Sequence, residues 1–220
     1  MIPRHLALIP DGNRRWARAR GLGPSEGHDA GIAAVGRVMS AAWAAGVETV
    51  TFWWGSPANL TLRAPGEVEG ILRALVGFLE GEGAARVAAA GARFEAIGRI
   101  EDLCPQILPA CAAMPRGPGP RRLVLLMAYD GREELQAAAE SFARSGARGS
   151  LGEHLWTAHL PPVDLLIRTG GQPHLSAGFL AWGLAEAQLC FSPTLWPDFE
   201  EEALARALAD YAASERRFGR

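Results

Sequence analysis

The chain has 220 residues, of which about half are apolar and about a fifth charged, and its formal net charge is −2. This composition is typical of a globular protein, and the length predicts a single domain over residues 1–220. A net charge near zero argues against general electrostatic attraction to nucleic acid or anionic lipid. No apolar run reaches the ~20 residues of a membrane span, and the N-terminal run is too short for a signal peptide. The three cysteines lack metal-ligand spacing, so we expect a reducing, cytoplasmic location.

Short apolar runs alternate with longer segments of helical period along the chain. Apolar side chains recur on one helical face between positions 32 and 43 and again between 68 and 79, and Pro65-Gly66 suits the start of the second helix. Alternation of this kind predicts an α/β fold, with a central, mostly parallel, six-stranded sheet flanked by helices. The predicted strands are His5–Ile9, Thr49–Trp54, Arg93–Ile97, Arg122–Tyr129, Val163–Arg168 and Gln188–Phe191.

Polar sequences follow three of these strands. They read PDGNRRW after the first strand, GSPANLTLR after the second and RTGGQPHLS after the fifth. Ligands of open α/β sheets bind beyond the carboxyl ends of the strands, so we expect all three sequences to meet at one edge of the sheet.

The first strand end places an acid, Asp11, next to several arginines. Gly12 permits close approach of the backbone to a ligand, and Arg14 and Arg15 supply fork-shaped donors suited to phosphate oxygens. An acid in a phosphate site repels the ligand unless a cation lies between them, and Mg²⁺ bridges carboxylate and phosphate oxygens in this way. The alternative is a helix-capping aspartate paired with its neighbouring arginines. The spacing alone leaves both interpretations open.

The second and fifth strand ends add hydrogen-bonding and cationic side chains. The second end, taken alone, is also consistent with an ordinary polar loop. The fifth is a further cationic strand end, and its two glycines make the backbone more flexible. Two cationic strand ends indicate either two phosphorylated substrates or one long one. The side chains suited to binding at these two ends are Ser56, Asn59, Arg63, Arg168, His174 and Ser176.

Several well-known motifs are absent from the sequence. It has neither G-x-G-x-x-G nor G-x-x-x-x-G-K-[ST], which argues against dinucleotide and P-loop sites. It also has no G-x-S-x-G, no H-E-x-x-H and no D-D-x-x-D run. Esterase, zinc-protease and helical trans-prenyl synthase interpretations therefore lack support.

The combined pattern DGNxRWA … IRTGG … F(S/T)xxLWPDF resembles the cis-prenyltransferase family of the undecaprenyl diphosphate synthase type. The resemblance spans nearly the whole chain, including GHDAG near the amino end and ERRFG at the carboxyl end. It implies a parallel sheet surrounded by helices, an apolar tunnel for the growing chain and a homodimer. Members of the family join an allylic diphosphate to the homoallylic isopentenyl diphosphate with Mg²⁺ and form a cis double bond.

The resemblance also implies roles for individual residues. Asp11 is then the essential acid that works with Mg²⁺, and Asn59 takes part in deprotonation, although an amide is a poor base and a diphosphate oxygen is the better proton acceptor. Trp16, Trp53 and Trp54 are candidates for stabilising an allylic cation, with packing in the core as the alternative. The allylic diphosphate is expected at Gly12, Asn13, Arg14, Arg15, Trp16 and His28, with further substrate contacts at Ser56 and Arg63. The acceptor diphosphate is expected at Arg168, His174 and Ser176, and Arg217, Phe218 and Gly219 complete the site of a partner subunit.

The sequence departs from the family pattern mainly around the acceptor. An R-x-S motif is replaced by His174-Leu175-Ser176, which gives up a fixed charge and a bidentate fork. The glutamate expected to bind Mg²⁺ is Gln188, and Glu186 would share its face if both lay in one strand. These changes indicate a second substrate, or a binding mode, that differs from the usual one. Smaller departures are Pro24, Ala58 and Leu60, which replace an arginine, an acid and a tryptophan.

We therefore expect a prenyltransferase that makes a short isoprenoid. Some relatives join two dimethylallyl diphosphates head-to-middle to give lavandulyl-type products, and such irregular coupling is one form that the reaction can take. Two alternatives remain open: prenyl transfer to a non-isoprenoid, for example aromatic, acceptor, and a non-catalytic subunit of a heteromeric prenyltransferase.

Overall fold

A six-stranded sheet runs through the protein, whose computed structural model describes residues 1–214. Its strands are β1 His5–Ile9, β2 Thr49–Gly55, β3 Arg93–Ile97, β4 Arg122–Met127, β5 Leu165–Arg168 and β6 Gln188–Phe191. The spatial order is β3-β4-β2-β1-β5-β6, and every neighbouring pair is parallel. The central strand β1 is buried along its whole length, as expected of a strand covered on both faces.

Helices cover both faces of the sheet. The helices are α1 Asn13–Ala19, α2 Pro24–Ala44, α3 Pro57–Thr61, α4 Pro65–Glu80, α5 Glu82–Ala89, α6 Ile100–Leu103, α7 Leu108–Ala113, α8 Gly131–Arg144 and α9 Glu201–Ala213. Short 3₁₀ helices lie at Pro105–Ile107, Leu151–His154 and Trp196–Asp198. No helix within residues 1–214 is both long and apolar enough to cross a bilayer.

Two apolar cores lie on opposite faces of the sheet. The larger core places the apolar stripes of α2 and α4 against β1, β2 and β4, with Met39, Phe52 and Leu75 fully buried. The smaller core lies on the other face and includes Ile9 and Phe179. Alternate side chains of β1 thus enter different cores: Leu6 and Leu8 the larger one, Ala7 and Ile9 the smaller one.

The structure confirms the predicted fold class and refines the strand boundaries. β1, β3 and β6 have the predicted bounds, and α4 begins at the predicted Pro65. β4 ends two residues earlier than predicted because Ala128 adopts a left-handed conformation with φ 51°, which no strand continues. The sheet is entirely rather than mostly parallel.

Candidate active site

The three polar strand ends meet at one edge of the sheet, as predicted. β1 pairs with β2 on one side and with β5 on the other, so the loops that follow these strands are neighbours. A cavity of about 230 Å³ opens between them and continues under α2 and α4. It brings together the predicted site residues Asp11, Asn13, His28, Asn59, Arg63, Arg168 and Ser176.

Asp11 lies between two arginines at this edge. Its Oδ2 accepts a hydrogen bond from Arg168 at 2.9 Å, and its Oδ1 accepts one from Arg15 at 3.2 Å. The side chain is about one-third exposed, so it faces the cavity as well as its partners. The N-cap of α1 is Gly12, and no side chain caps that helix. Asp11 is therefore paired with arginines, as one interpretation held, but it is not a helix cap.

Arg168 joins Asp11 to the loop after β5. The side chain is almost completely buried, and it donates to the carbonyl of His174 at 2.6 Å and to the hydroxyl of Ser176 at 2.8 Å. Its Nε has no hydrogen-bond partner among the described residues. One planar guanidinium thus orients the aspartate, the loop and Ser176 together.

Two glycines allow the chain to fold tightly around this cluster. Gly170 has φ 82°, and a Cβ there would collide with the guanidinium of Arg15, which donates to the Gly170 carbonyl at 2.7 Å. Gly12 has φ 120°, and a Cβ there would lie 2.9 Å from Leu195 Cδ2. The absence of a Cβ at Gly12 thus allows close packing against Leu195, and its close approach to a ligand stays a prediction.

Asn13 and His28 form the wall of the cavity next to α2. The Oδ1 of Asn13 is buried without a hydrogen-bond partner among the described residues, and a Cβ on Gly31 would lie 2.6 Å from it. A buried oxygen without a partner costs free energy. Asn13 and His28 line the cavity, but this oxygen is packed against Gly31 and has almost no accessible surface.

Glu67, in the first turn of α4, is a site residue that the sequence analysis missed. Its Oε1 lies 3.2 Å from His28 Nε2 and 3.6 Å from Arg63 Nη1. Burial lowers the pKa of His28, and the hydrogen bond to Glu67 opposes that shift. Arg63 lies in the bend between α3 and α4, so no helical spacing in the sequence pointed to Glu67.

Ser56 and Asn59 form a reciprocal cap at the start of α3. The hydroxyl of Ser56 accepts the N–H of Asn59 at 3.2 Å, and the Oδ1 of Asn59 accepts the N–H of Ser56 at 3.1 Å. This capping box fixes the Asn59 side chain, which also lines the cavity. Ser56 is buried beneath it and acts on the site through Asn59.

Five predicted binding side chains lie outside the cavity lining: Arg15 and Ser56, which contact the lining residues Asp11 and Asn59, and Trp16, Arg14 and His174. Trp16 donates its indole N–H to Asp198 at 2.6 Å and stacks against Arg20, so it packs α1 against the Trp196–Asp198 turn. Arg14 is exposed on α1. His174 contributes its backbone carbonyl to Arg168, while the residue itself is exposed.

The positions expected to supply a second metal ligand are not close to Asp11 within one chain. Gln188 is the first residue of β6 and pairs with Leu165, about 10 Å below the carboxyl edge of the sheet. Its side-chain oxygen accepts from the hydroxyl of Ser214 at 2.6 Å. Glu186 lies in the turn before β6, so the condition for sharing a strand face with Gln188 is not met. Arg217, Phe218 and Gly219 lie outside the described residues.

The donor set is compatible with Mg²⁺ carried by a diphosphate. No cluster of three or more His, Cys, Asp or Glu side chains that could hold a metal ion occurs within residues 1–214. Mg²⁺ is commonly held by one or two carboxylates together with substrate phosphates and water. Asp11 can supply the carboxylate, and it lines the same cavity as Asn13.

Comparisons with known proteins agree with this geometry. The model of the undecaprenyl diphosphate synthase family matches residues 9–219. An isoprenyl transferase of Thermus thermophilus is 38% identical, over 100% of this chain and 89% of its own length. A bifunctional CrtB/UppS protein of Streptomyces coelicolor is also 38% identical, and this chain spans only 40% of it.

A solved structure extends the comparison to three dimensions. Lavandulyl diphosphate synthase from Lavandula x intermedia, in complex with dimethylallyl diphosphate, superposes with a TM-score of 0.90 and 32% identity, over 100% of this chain and 99% of that one. The sheet order, the cavity at its carboxyl edge and these matches lead to one conclusion. The chain belongs to the undecaprenyl diphosphate synthase family, the cis-prenyltransferases, which are prenyl-transferring enzymes.

Proposed function

We propose that residues 1–220 form one catalytic domain that ionises an allylic diphosphate and couples it to a second isoprenoid diphosphate, giving a short prenyl diphosphate. The observation that carries this proposal is the cavity at the strand ends, which has a polar, cationic mouth and an apolar interior. A prenyl diphosphate has the same division into a charged head and an apolar tail.

The mouth of the cavity is suited to the diphosphate. Arg63 and Arg168 line it, and Arg15 reaches its rim through Asp11. Preorganised donors of this kind stabilise the charge that develops on a departing diphosphate, and removing one typically costs ~2.7–4 kcal/mol of barrier. When bound with the diphosphate at Asp11, Mg²⁺ would neutralise part of the negative charge on the leaving group.

The interior of the cavity is suited to the carbon chain. Ile32, Val35, Ile71 and the indoles of Trp53 and Trp54 form its walls. Apolar walls keep water away from an allylic cation, and aromatic faces attract a cation. Trp53 and Trp54 can therefore take the role expected of tryptophan here, whereas Trp16 lies outside the cavity lining.

The coupling step ends with the loss of a proton from the acceptor. Asn59 faces the cavity, but its oxygen already accepts the N–H of Ser56, which leaves the amide N–H₂ group for a ligand. We assign Asn59 to holding the diphosphate or the acceptor, and a diphosphate oxygen to receiving the proton.

The acceptor is proposed to differ from that of an elongating polyprenyl synthase. His174 is turned to the surface and Gln188 carries no charge, so within one chain Arg168 and Ser176 are the expected acceptor groups that line the cavity. The match to a synthase that was solved with dimethylallyl diphosphate supports a small allylic substrate. Two five-carbon units, joined in the regular or the irregular manner, are consistent with a cavity of about 230 Å³.

We further propose that the enzyme is a homodimer. Leu175, Trp182 and Leu189 are exposed apolar side chains in the last third of the chain, and Leu189 lies on the edge strand β6. Single exposed apolar residues are common on monomers, so the proposal rests on the resemblance to a homodimeric family, and these side chains are the candidates for its interface. Light scattering coupled to size-exclusion chromatography is expected to give twice the chain mass, and a strictly monomeric protein would contradict the proposal.

The test of function is product analysis by mass spectrometry. The purified enzyme is given dimethylallyl diphosphate with Mg²⁺, first alone and then with isopentenyl diphosphate. We expect a ten- or fifteen-carbon product, formed from dimethylallyl diphosphate alone if the coupling is irregular. A ladder of long polyprenyl products would exclude the short-chain proposal. Release of pyrophosphate only when an aromatic acceptor is added would favour that alternative, and no release from any allylic donor would favour a non-catalytic subunit.

A further inference from the structure

The first residue of α8, Gly131, is a glycine at a position where the backbone conformation does not require one. Its φ lies outside the left-handed region that favours glycine, and alanine is the better helix former. The requirement comes from a neighbouring segment instead, because a Cβ on Gly131 would collide with the carbonyl oxygen of Gly178. The two backbones are therefore in direct contact, and a side chain at position 131 would force one of them to move.

The segment on the other side of this contact, residues 176–180, has an unusual backbone. Ala177 and Leu180 have left-handed φ values of 47° and 45°. Residues other than glycine keep this conformation only where the surrounding structure holds them in it, and such residues cluster at functional sites. The N–H of Gly131 donates to the carbonyl of Ala177 at 2.9 Å. The first turn of α8 is thus part of what holds the 176–180 segment in place.

The 176–180 segment begins with a side chain of the active site. Ser176 lines the cavity, and its hydroxyl accepts a hydrogen bond from Arg168 at 2.8 Å. The carbonyl of Ser176 accepts the N–H of Phe179 at 2.9 Å, which joins the start of the segment to its buried end. A displacement of Ala177 or Gly178 is therefore passed on to Ser176 and to its hydrogen bond with Arg168.

The start of α8 is the more rigid side of the contact, because a buried hydrogen-bond network anchors it. The carboxylate of Glu134 is buried and accepts from the hydroxyl of Tyr129 and from both the N–H and the hydroxyl of Thr157. Tyr129 is also bonded to β2 through its N–H and its carbonyl. Residues 171–175, which lead into the 176–180 segment, are exposed by contrast. A side chain at position 131 is therefore expected to displace the segment rather than the helix.

We propose that Gly131 is a positioning residue for the second substrate, since its lack of a side chain sets the place of the 176–180 segment and thereby of Ser176. The inference rests on the proposed function, in which Arg168 and Ser176 bind the second diphosphate. The cavity groups expected to bind the allylic diphosphate lie on α1, on α2 and in the bend between α3 and α4. A change at position 131 should therefore weaken binding of the second substrate and spare the first.

The experiment compares Gly131→Ala with the unaltered enzyme and with Gly77→Ala as the matched control. Gly77 lies on the exposed side of α4, and a Cβ there would meet no atom within 4 Å. Calorimetric titration with Mg²⁺ present gives two affinities: that of the unreactive dimethylallyl thiolodiphosphate for the free enzyme, and that of a second ligand for the enzyme saturated with this analogue. The second ligand is isopentenyl diphosphate or, where the products show irregular coupling, a second equivalent of the analogue.

We expect Gly131→Ala to bind the second ligand more weakly by about tenfold or more, because a displacement on the order of 1 Å in a site can cost ~10²-fold. Its affinity for the first ligand should be unchanged, and Gly77→Ala should match the unaltered enzyme in both affinities. A purely structural role of Gly131 would lower the unfolding temperature, measured on the same preparations, and leave both affinities of the folded protein unchanged.

Gly178→Ala perturbs the same contact from the other side. A Cβ there would lie 3.3 Å from Cγ of Arg132, so the displacement is smaller, and the affinity for the second ligand should fall less but in the same direction. This variant decides the outcome if Gly131→Ala does not fold.

The inference is overturned if Gly131→Ala, or Gly178→Ala in its place, binds the second ligand as tightly as the unaltered enzyme does, or loses as much affinity for the first ligand as for the second. The proposed function fails separately, if the unaltered enzyme binds neither ligand and forms no prenyl product.

Discussion

Replacing Arg168 by lysine tests whether one guanidinium organises the acceptor side of the site. The arginine makes three hydrogen bonds, to Asp11, to the His174 carbonyl and to the Ser176 hydroxyl. Lysine keeps the charge, but its single ammonium cannot reproduce the planar fork that reaches all three. Arg168→Lys thus separates the geometry of the guanidinium from its charge.

The expected loss follows from the number of contacts. If the lysine keeps only the bond to Asp11, the loop that carries Ser176 loses two charge-assisted hydrogen bonds, worth about 1.5–3 kcal/mol each before relaxation. Relaxation of the loop recovers part of this lost free energy. We therefore expect a fall in kcat/KM of about 10²–10³, the size seen when one preorganised donor is removed.

The assay is steady-state release of pyrophosphate, with thermal unfolding measured on the same preparations. Arg73→Lys is the matched control, since Arg73 pairs with Glu69 on the exposed side of α4, outside the site. The control is expected to behave like the unaltered enzyme. Wild-type kcat and KM in Arg168→Lys would refute the reasoning.

Two further predictions concern Asn59 and His5. Asn59→Ala and Ser56→Ala each break one hydrogen bond of the capping box and should each lower the unfolding free energy by about 1 kcal/mol. If Asn59 also contacts substrate, only Asn59→Ala lowers turnover strongly. Equal turnover in the two variants would contradict that role. Burial lowers the pKa of His5 from 6.5 to about 4. Below about pH 6.5, His5 therefore takes up a proton in the unfolded chain but not in the folded one, and the unfolding free energy falls. The total loss by pH 4 is about 3 kcal/mol. Urea denaturation between pH 7 and pH 4 should show this slope, and His5→Gln should lack it; an unchanged slope in the variant would show that His5 is not its source.

The fold was predictable from sequence because its signals are local. Continuous apolar runs mark strands covered on both faces, and proline at position 65 marks the start of α4. The rule that ligands bind at the carboxyl ends of parallel strands then placed Asp11, Asn59 and Arg168 at one edge, where the structure has them.

The features that the sequence did not reveal depend on tertiary packing. The pairing of Glu67 with His28 joins residues 39 positions apart, through the contact between α2 and α4. His174 is exposed, and Arg168 donates a hydrogen bond to the backbone carbonyl of His174 rather than to its ring. The place of Gln188 follows from the register of β6 against β5, which puts it at the far end of the strand. No local pattern encodes these distances.

The central claim is that the carboxylate of Asp11 acts with Mg²⁺ to draw pyrophosphate from an allylic donor. Asp11→Asn keeps the shape of the side chain, removes its charge and leaves one oxygen to accept from Arg15 or Arg168, while Arg15, Arg63 and Arg168 all remain to bind the diphosphate. The decisive measurement is single-turnover pyrophosphate release from dimethylallyl diphosphate at saturating Mg²⁺, together with the affinity for its thiolodiphosphate analogue in the absence of metal. We predict that the variant retains this affinity and loses about 10²–10³ in rate. Release at the unaltered rate would contradict the account.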